Sequence, residues 1–152
     1  MDYRVAEHKK TDEFDPLSGM ENVEAFERFR NTDDASDELT YVRFVIENDM
    51  DYPEKEKWKF EQLILDTADC IQTIFESRGK CYCLNDREFM VVLKYIKSVQ
   101  VQECLKNVEA VIQNRNRHRR EPIQIRYAYA QMPQECDEEV ELYDLVEERV
   151  HI

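Results

Sequence analysis

Apolar residues recur along the chain with two different periods, and these periods predict its helices and strands. Over residues 54–77 they return every three or four positions, as on one face of a long helix, and Pro53 suits its first turn. The same period predicts helices over residues 21–30, from about residue 101 to 112, and around residues 140–146. Continuous β-prone runs predict strands over Leu39–Ile46 and, after Pro122, up to about residue 130.

The clearest local signal is a β-hairpin over residues 80–94. Two apolar runs flank Asn85 and Asp86, the two non-glycine residue types that best tolerate a positive φ. Asn and Asp reach that conformation through local hydrogen bonds, whereas glycine would leave the backbone N–H groups accessible to a ligand. We therefore predict a tight turn at Asn85-Asp86, and we expect Gly79 to end the long helix before it.

The predicted order is helix, strand, helix, hairpin, helix, strand, helix. This order is typical of an α+β domain in which helices pack on an antiparallel sheet. The sequence therefore predicts an α+β, ferredoxin-like antiparallel sheet flanked by helices. A length of 152 residues with 42% hydrophobic content suits one domain with a substantial core.

Composition excludes several classes of function. No run approaches the roughly 18 apolar residues of a spanning helix, and the charged N-terminus lacks the apolar region of a signal peptide. A net charge of −13 argues against nucleic acid and against membrane contact by this segment. We expect a cytoplasmic domain, with residues 1–14 as a helical connector or linker.

The side chains with reactive or binding chemistry have simple structural explanations. The five cysteines include no zinc-type pair, so we expect reduced thiols and no metal or cofactor. A basic run over residues 115–120 follows a predicted helix, where cations favour the negative end of the helix dipole; a phosphate or partner site is the alternative. Trp58 is more simply a surface aromatic than a base-stacking residue, and Tyr127 and Tyr129 are expected to pack against the core.

The hairpin turn carries a resemblance to a known family. The residues Asn85-Asp86-Arg87-Glu88-Phe89 resemble the GGDEF signature of bacterial diguanylate cyclases. Residues 15–22 are similar to that family's opening box, residues 41–49 to its first strand, and residues 125–130 to a later strand. The resemblance covers about residues 12–150 and implies a nucleotidyl-cyclase-like form of the predicted sheet. Residues 15–152 would then form one degenerate GGDEF domain, with a C-terminus that we expect to be truncated.

The resemblance implies that the catalytic positions have changed. In active members, carboxylates from the first strand and from the third turn position hold magnesium ions for phosphoryl transfer. Here those positions match Glu47 and Arg87, and a guanidinium cannot bind a divalent cation. Asn85 and Asp86 replace glycines that would approach phosphate oxygens. The product-inhibition motif falls on residues 76–79, where neither of its defining residues is present.

We therefore expect no catalytic residue, and only vestigial active-site positions, in a regulatory or interaction module of a cyclic-di-GMP-related signalling protein. These positions are Glu47, Asp49, Asn85, Asp86, Arg87 and Glu88. The resemblance implies a neighbouring sensory or phosphodiesterase domain as partner. One alternative is a metal-independent nucleotide sensor in which Arg87 holds phosphate, and another is a residual cyclase that uses Glu47 and Asp49. We also expect Arg87 to form an ion pair with Glu47 in the former metal site.

Overall fold

The structure is a computed structural model that describes residues 13–32, 38–48 and 52–152. Most of the predicted connector over residues 1–14 lies outside this range. Its last two residues form a turn and a β-bridge between Phe14 and Glu21 rather than a helix. In chain order the elements are α1 (Val23–Arg30), β1 (Leu39–Ile46), a 3-10 turn (Glu54–Glu56), α2 (Lys57–Phe75), β2 (Gly79–Cys83), β3 (Glu88–Lys94), α3 (Ser98–Asn116), β4 (Ile125–Met132) and α4 (Glu139–Val150).

The four strands form one antiparallel sheet in the order β2-β3-β1-β4. The unit from β1 to β4 has the strand order and the helix connections of a ferredoxin-like fold, so the predicted fold class is confirmed. Phe44, in the middle of β1, lies opposite Phe89 of β3 on one side and Tyr127 of β4 on the other. The central strands are therefore buried between their neighbours.

Helices cover both faces of the sheet because side chains alternate along each strand. The even positions of β1, including Val42 and Phe44, belong to a core shared with α2 and α3. The odd positions, including Tyr41, belong to a second core shared with α1 and α4, in which Phe26 and Leu142 are fully buried. A strand that is buried on both faces needs the continuous apolar run seen over β1.

The end of the long helix differs from the prediction. Helix α2 ends at Phe75, and Gly79 is the first residue of β2 rather than a helix cap. A Cβ atom at Gly79 would lie 2.2 Å from the carbonyl oxygen of Val92 on the neighbouring strand. This glycine is therefore required for close strand approach. At the other end, Pro53 precedes a separate 3-10 turn instead of the first turn of α2.

The cysteine and membrane predictions can be compared with the described residues. All five cysteines are free, and Cys70, Cys83 and Cys104 are buried, as expected of reduced core thiols. Tyr127 and Tyr129 pack against the α2–α3 core, which confirms their predicted role. No helix in the described part of the chain is both long enough and apolar enough to cross a membrane.

Candidate functional site

The hairpin turn and the end of β1 lie together at one end of the sheet. The backbone N–H of Ile46 donates to the carbonyl of Arg87 at 2.8 Å, and the N–H of Glu47 donates to the carbonyl of Gln124 at 2.7 Å. The antiparallel register therefore brings Glu47 beside the turn, where the resemblance expects a first-strand carboxylate. Asp49, the other acidic position predicted here, lies outside the described residues.

The turn itself does not use the predicted left-handed conformation. Among described non-glycine residues only Tyr95 has a positive φ, so neither Asn85 nor Asp86 has one. Strand pairing ends at Cys83 and resumes at Glu88, and this leaves a four-residue connection. The Asn85 side chain accepts the Arg87 N–H at 2.8 Å, which is the Asx-turn geometry that lets a longer loop close without positive φ.

The Glu88 carboxylate is held by three side chains. It accepts hydrogen bonds from Asn85 at 2.7 Å and from Arg43 at 3.1 Å, and the imidazole of His151 lies 3.2 Å away. Burial is the largest single influence and raises the pKa of Glu88, but the Asn85 hydrogen bond and the Arg43 charge together outweigh it and lower that pKa. Glu88 is thus an ionised structural carboxylate whose oxygens are already engaged.

Arg43 is the buried counter-charge of Glu88. Only 4% of this residue is exposed, and its guanidinium lies 5.6 Å from the ring centre of Tyr143 on α4. Its Nε and Nη1 atoms have no hydrogen-bond partner among the described residues. A buried arginine with so few partners depends strongly on the one carboxylate it has. The Arg43–Glu88 ion pair therefore joins β1 to β3, and the contact of His151 with Glu88 brings in the C-terminal end of α4.

The predicted ion pair between Arg87 and Glu47 is wrong. Glu47 pairs instead with Arg126 of β4 at 3.6 Å, with both side chains more than two-fifths exposed. The reason is register, because Arg126 lies opposite Val45 and projects from the same face of the sheet. Arg87 is exposed and forms no ion pair within the described ranges.

The described residues at this end of the sheet do not by themselves fit a divalent cation. A magnesium site needs several oxygen ligands with negative charge, and the turn offers a guanidinium at one expected ligand position. Glu88 is neutralised by Arg43, and Glu47 faces Arg126. In the described part of the chain no cluster of three or more acidic, histidine or cysteine side chains is arranged to hold a metal.

The opening box forms a compact turn that covers the edge of β2. Asp15 accepts the backbone N–H of Ser18 at 2.7 Å, and Gly19 adopts a φ of 75° that favours glycine. The chain then runs beside β2, where the Cys83 N–H donates to the Glu21 carbonyl at 2.7 Å. Asn22 caps α1 by accepting the N–H of Ala25.

A cavity of about 320 Å³ lies between this opening segment and the hairpin turn. Its lining includes the carboxylates of Asp15, Glu24 and Asp86, and no lysine or arginine lines it. The negative potential of three carboxylates opposes a phosphate group. The cavity next to the turn is therefore poorly suited to a nucleotide, in line with the predicted effect of Asp86.

Two arginines of the basic run are held by acidic residues of α2, a pairing that the sequence did not predict. Arg115 bonds to Asp66 at 3.2 Å and to Asp69 at 2.5 Å, and Arg119 also pairs with Asp66. Arg43 and His151 were missed in the same way. Asp66 and Asp69 lie three positions apart on the predicted helix, so the sequence indicates that they share one face of it. The sequence does not indicate which basic residues they pair with.

The segment that matches the product-inhibition motif lies where α2 turns into β2. Glu76 caps the end of α2 and is exposed, and Gly79 is packed against Val92 without a side chain. The structure therefore has a backbone contact at the position where the motif would place a carboxylate.

Comparison with known proteins identifies the fold. No family model and no curated protein matches the chain. Among solved structures, the coiled coil and GGDEF domain of DgcB from Caulobacter crescentus, in complex with c-di-GMP, is 15% identical. The alignment covers 97% of this chain and 85% of that one, with a TM-score of 0.78. The GGDEF domain of FimX from Pseudomonas aeruginosa is 14% identical over 91% of each chain, with a TM-score of 0.72.

A third similar structure is a complex of two proteins. Diguanylate cyclase SiaD from Pseudomonas aeruginosa, in complex with its activator SiaC, is 13% identical. The alignment covers 97% of this chain and 60% of that one, with a TM-score of 0.67. At such identities the likeness concerns the fold alone. This chain has the fold of GGDEF domains.

Proposed function

We propose that this chain is a catalytically inactive GGDEF-type module that has a regulatory or interaction role in a cyclic-di-GMP-related bacterial signalling protein. On this proposal residues 15–152 form the module, which acts in the cytoplasm. The observation that carries the proposal is the engagement of Glu88 by Arg43, Asn85 and His151, beside an exposed Arg87. At the end of the sheet where the resemblance expects a metal ion, internal ion pairs engage Glu88 and Glu47.

The charge pattern at this end of the sheet supports loss of phosphoryl transfer. Arg87 places a permanent positive charge where a metal ligand is expected, and Asp86 adds a negative charge where phosphate would approach. In the described part of the chain, Glu47 is the one carboxylate left at an expected ligand position, and a single carboxylate does not supply the oxygen ligands that a magnesium ion requires.

One of the similar structures contains a protein partner. SiaD is described in complex with its activator SiaC, so one protein with this fold has a protein partner. For this chain we propose a neighbouring sensory or phosphodiesterase domain as the partner. The module would pass a signal between neighbouring domains through surface contacts, without forming a reaction product.

Manganese binding tests the proposal. In isothermal titration without nucleotide, we expect no saturable Mn²⁺ binding by the native chain, because the described part of the chain arranges no cluster of three or more acidic, histidine or cysteine side chains to hold a metal. A variant that carries Asn85→Gly, Asp86→Gly and Arg87→Asp should bind Mn²⁺ measurably, because it gains a ligand and loses a repelling charge.

The control is Arg117→Asp, which reverses the charge of an exposed arginine just after the C-terminal end of α3, as Arg87→Asp does in the turn. This variant should bind no more Mn²⁺ than the native chain. Stoichiometric Mn²⁺ binding by the native chain would contradict the proposal. Equal gains in the turn variant and in Arg117→Asp would show that the effect is nonspecific.

A further inference from the structure

The fold brings two separate sequence features into one cleft. Trp58, in the first turn of α2, and the basic residues that follow α3 line a cavity of about 410 Å³. We call this the Trp58 cleft, and it lies between the start of α2 and the end of α3, away from the residues that line the cavity beside the hairpin turn. Its volume falls in the range of small-molecule sites. Its lining consists of Trp58, Lys59, Gln62, Asp66, Arg115, His118, Arg119, Arg120 and Glu121.

The Trp58 cleft has positive charge that is not neutralised internally. Asp66 holds Arg115 and Arg119, which fixes the base of the cleft. Arg120 is exposed and has no ion pair in the part of the chain that the structure describes. Lys59 pairs with Glu56 at 3.3 Å, but both side chains are more than one-third exposed. Such a surface pair contributes little to stability, so an anion can recruit Lys59 at little cost.

The start of α2 places uncapped N–H groups beside these cations. Its first turn contains two lysines and no acidic residue, and Glu54 and Glu56 of the preceding 3-10 turn pair with Lys57 and Lys59 only at the surface. Helix N-termini normally favour acidic residues because the dipole is positive there. Seven of the 21 lysines and arginines lie in two short stretches around the cleft, in a chain with a net charge of −13. These seven are Lys55, Lys57, Lys59, Arg115, Arg117, Arg119 and Arg120.

Trp58 supplies an aromatic surface that the core does not use. It is 63% exposed, so its indole is available for stacking. The Lys59 ammonium lies 5.8 Å from the ring centre and keeps a cation next to that surface. An exposed indole beside solvent-accessible cations offers both interactions that a nucleoside phosphate needs, stacking for the base and charge for the phosphate.

We propose that the Trp58 cleft binds a nucleoside phosphate, with the base stacked on Trp58 and the phosphate held by Arg120 and Lys59. The protein supplies the counter-charge, so binding does not require a divalent cation. A mononucleotide and a cyclic dinucleotide share this chemistry, and the experiment distinguishes them. The inference is independent of the proposed loss of catalysis, because it uses none of the residues of the hairpin turn.

Trp58 is the chain's single tryptophan, so its fluorescence reports the cleft directly. The native chain would be titrated, with EDTA present, with AMP, GMP, ATP, GTP, c-di-GMP and inorganic pyrophosphate. N-acetyltryptophanamide corrects for absorption by the nucleotides. We expect saturable quenching by at least one nucleotide and weaker competition by pyrophosphate. Calorimetry with Trp58→Ala should show at least a tenfold loss of affinity, because base stacking is lost.

Two arginine variants test whether the ligand occupies the cleft. Arg120→Ala should weaken binding about tenfold, because a charge-assisted hydrogen bond is removed. Arg117→Ala removes the same charge from the same basic run, but Arg117 does not line the cleft, so it should change affinity less than twofold. Equal effects of the two variants would overturn the proposal, because general electrostatics would then explain binding.

Arg87→Ala should leave nucleotide affinity unchanged. If this variant loses binding, the nucleotide occupies the hairpin turn and the proposal is wrong. No saturable quenching by any nucleotide at millimolar concentration would also overturn it. Quenching by polyglutamate but not by nucleotides would overturn it as well, and would assign the cleft to an acidic protein segment. None of these outcomes affects the Mn²⁺ experiment, so the two proposals can fail separately.

Discussion

Removing the Glu88 carboxylate should destabilise the fold, although the resemblance places this residue in a catalytic signature. Glu88→Ala leaves Arg43 without its counter-charge, in a position where only 5% of the arginine side chain is exposed. Breaking a buried pair from one side costs about 3–5 kcal/mol. Because 16% of the Glu88 side chain is exposed, we expect about 3 kcal/mol, the low end of that range. A domain of ordinary stability, about 5–15 kcal/mol, would lose a large part of it.

Equilibrium unfolding in urea measures this loss, and Glu47→Ala is the matched control. Glu47 lies at the same end of the sheet, but its pair with Arg126 is exposed, so its loss should cost less than about 1 kcal/mol. The double variant Arg43→Met with Glu88→Met should recover most of the stability, because no charge remains buried. If the double variant is as unstable as Glu88→Ala, the loss of stability comes from altered packing and not from the unpaired charge of Arg43.

The sign of the pH dependence gives an independent check. The pKa of Glu88 is lower in the folded chain than in the unfolded chain, where it is about 4.3. Its contribution is therefore fully present above the unfolded pKa and is lost as the pH falls through the folded pKa. Glu88→Ala should flatten the acid side of the stability curve. If Glu88→Ala costs no more than Glu47→Ala at neutral pH, the carboxylate is not structural and our reading of this end of the sheet is refuted.

Two further predictions concern the hairpin. Gly79→Ala should lower the free energy of unfolding by about 1–3 kcal/mol, because the new Cβ atom would lie 2.2 Å from the Val92 carbonyl oxygen. Thermal unfolding measures this loss, and an unchanged midpoint would show that the two strands can move apart without a loss of stability. Burial raises the pKa of the Cys81 thiol to about 12, so at about pH 8 iodoacetamide should alkylate it at least about a hundredfold more slowly in the folded chain than in urea. Equal rates, measured by peptide mass spectrometry, would contradict this burial.

The sequence predicted the elements well where the hydrophobic period was strong. The bounds of β1 agree with the prediction, and α2 and α3 appear where apolar residues recur every three or four positions. Gly79 was misassigned because a glycine after a helix usually caps it, whereas here the constraint comes from the carbonyl of Val92 on another strand. No local pattern contains that contact.

The candidate site was predictable in position but not in its charge pairing. The residues of the turn and Glu47 do meet at one end of the sheet. Their partners depend on register, since Arg43 and Glu88 are 45 positions apart in sequence. The expected pair of Arg87 with Glu47 failed for the same reason, because strand β4 places Arg126 closer. The Asn85 side chain also stabilises an Asx turn without a positive φ, which the preference of Asn for positive φ does not predict.

The most direct test of the central claim is product formation from GTP. The native chain would be incubated with GTP and either Mg²⁺ or Mn²⁺ at a protein concentration high enough for two copies to meet, and c-di-GMP, pyrophosphate and GDP would be quantified by chromatography. We predict no product above a protein-free control, and the same result for Arg87→Ala. Formation of c-di-GMP by the native chain, abolished by Glu47→Ala, would contradict the account and identify an active cyclase.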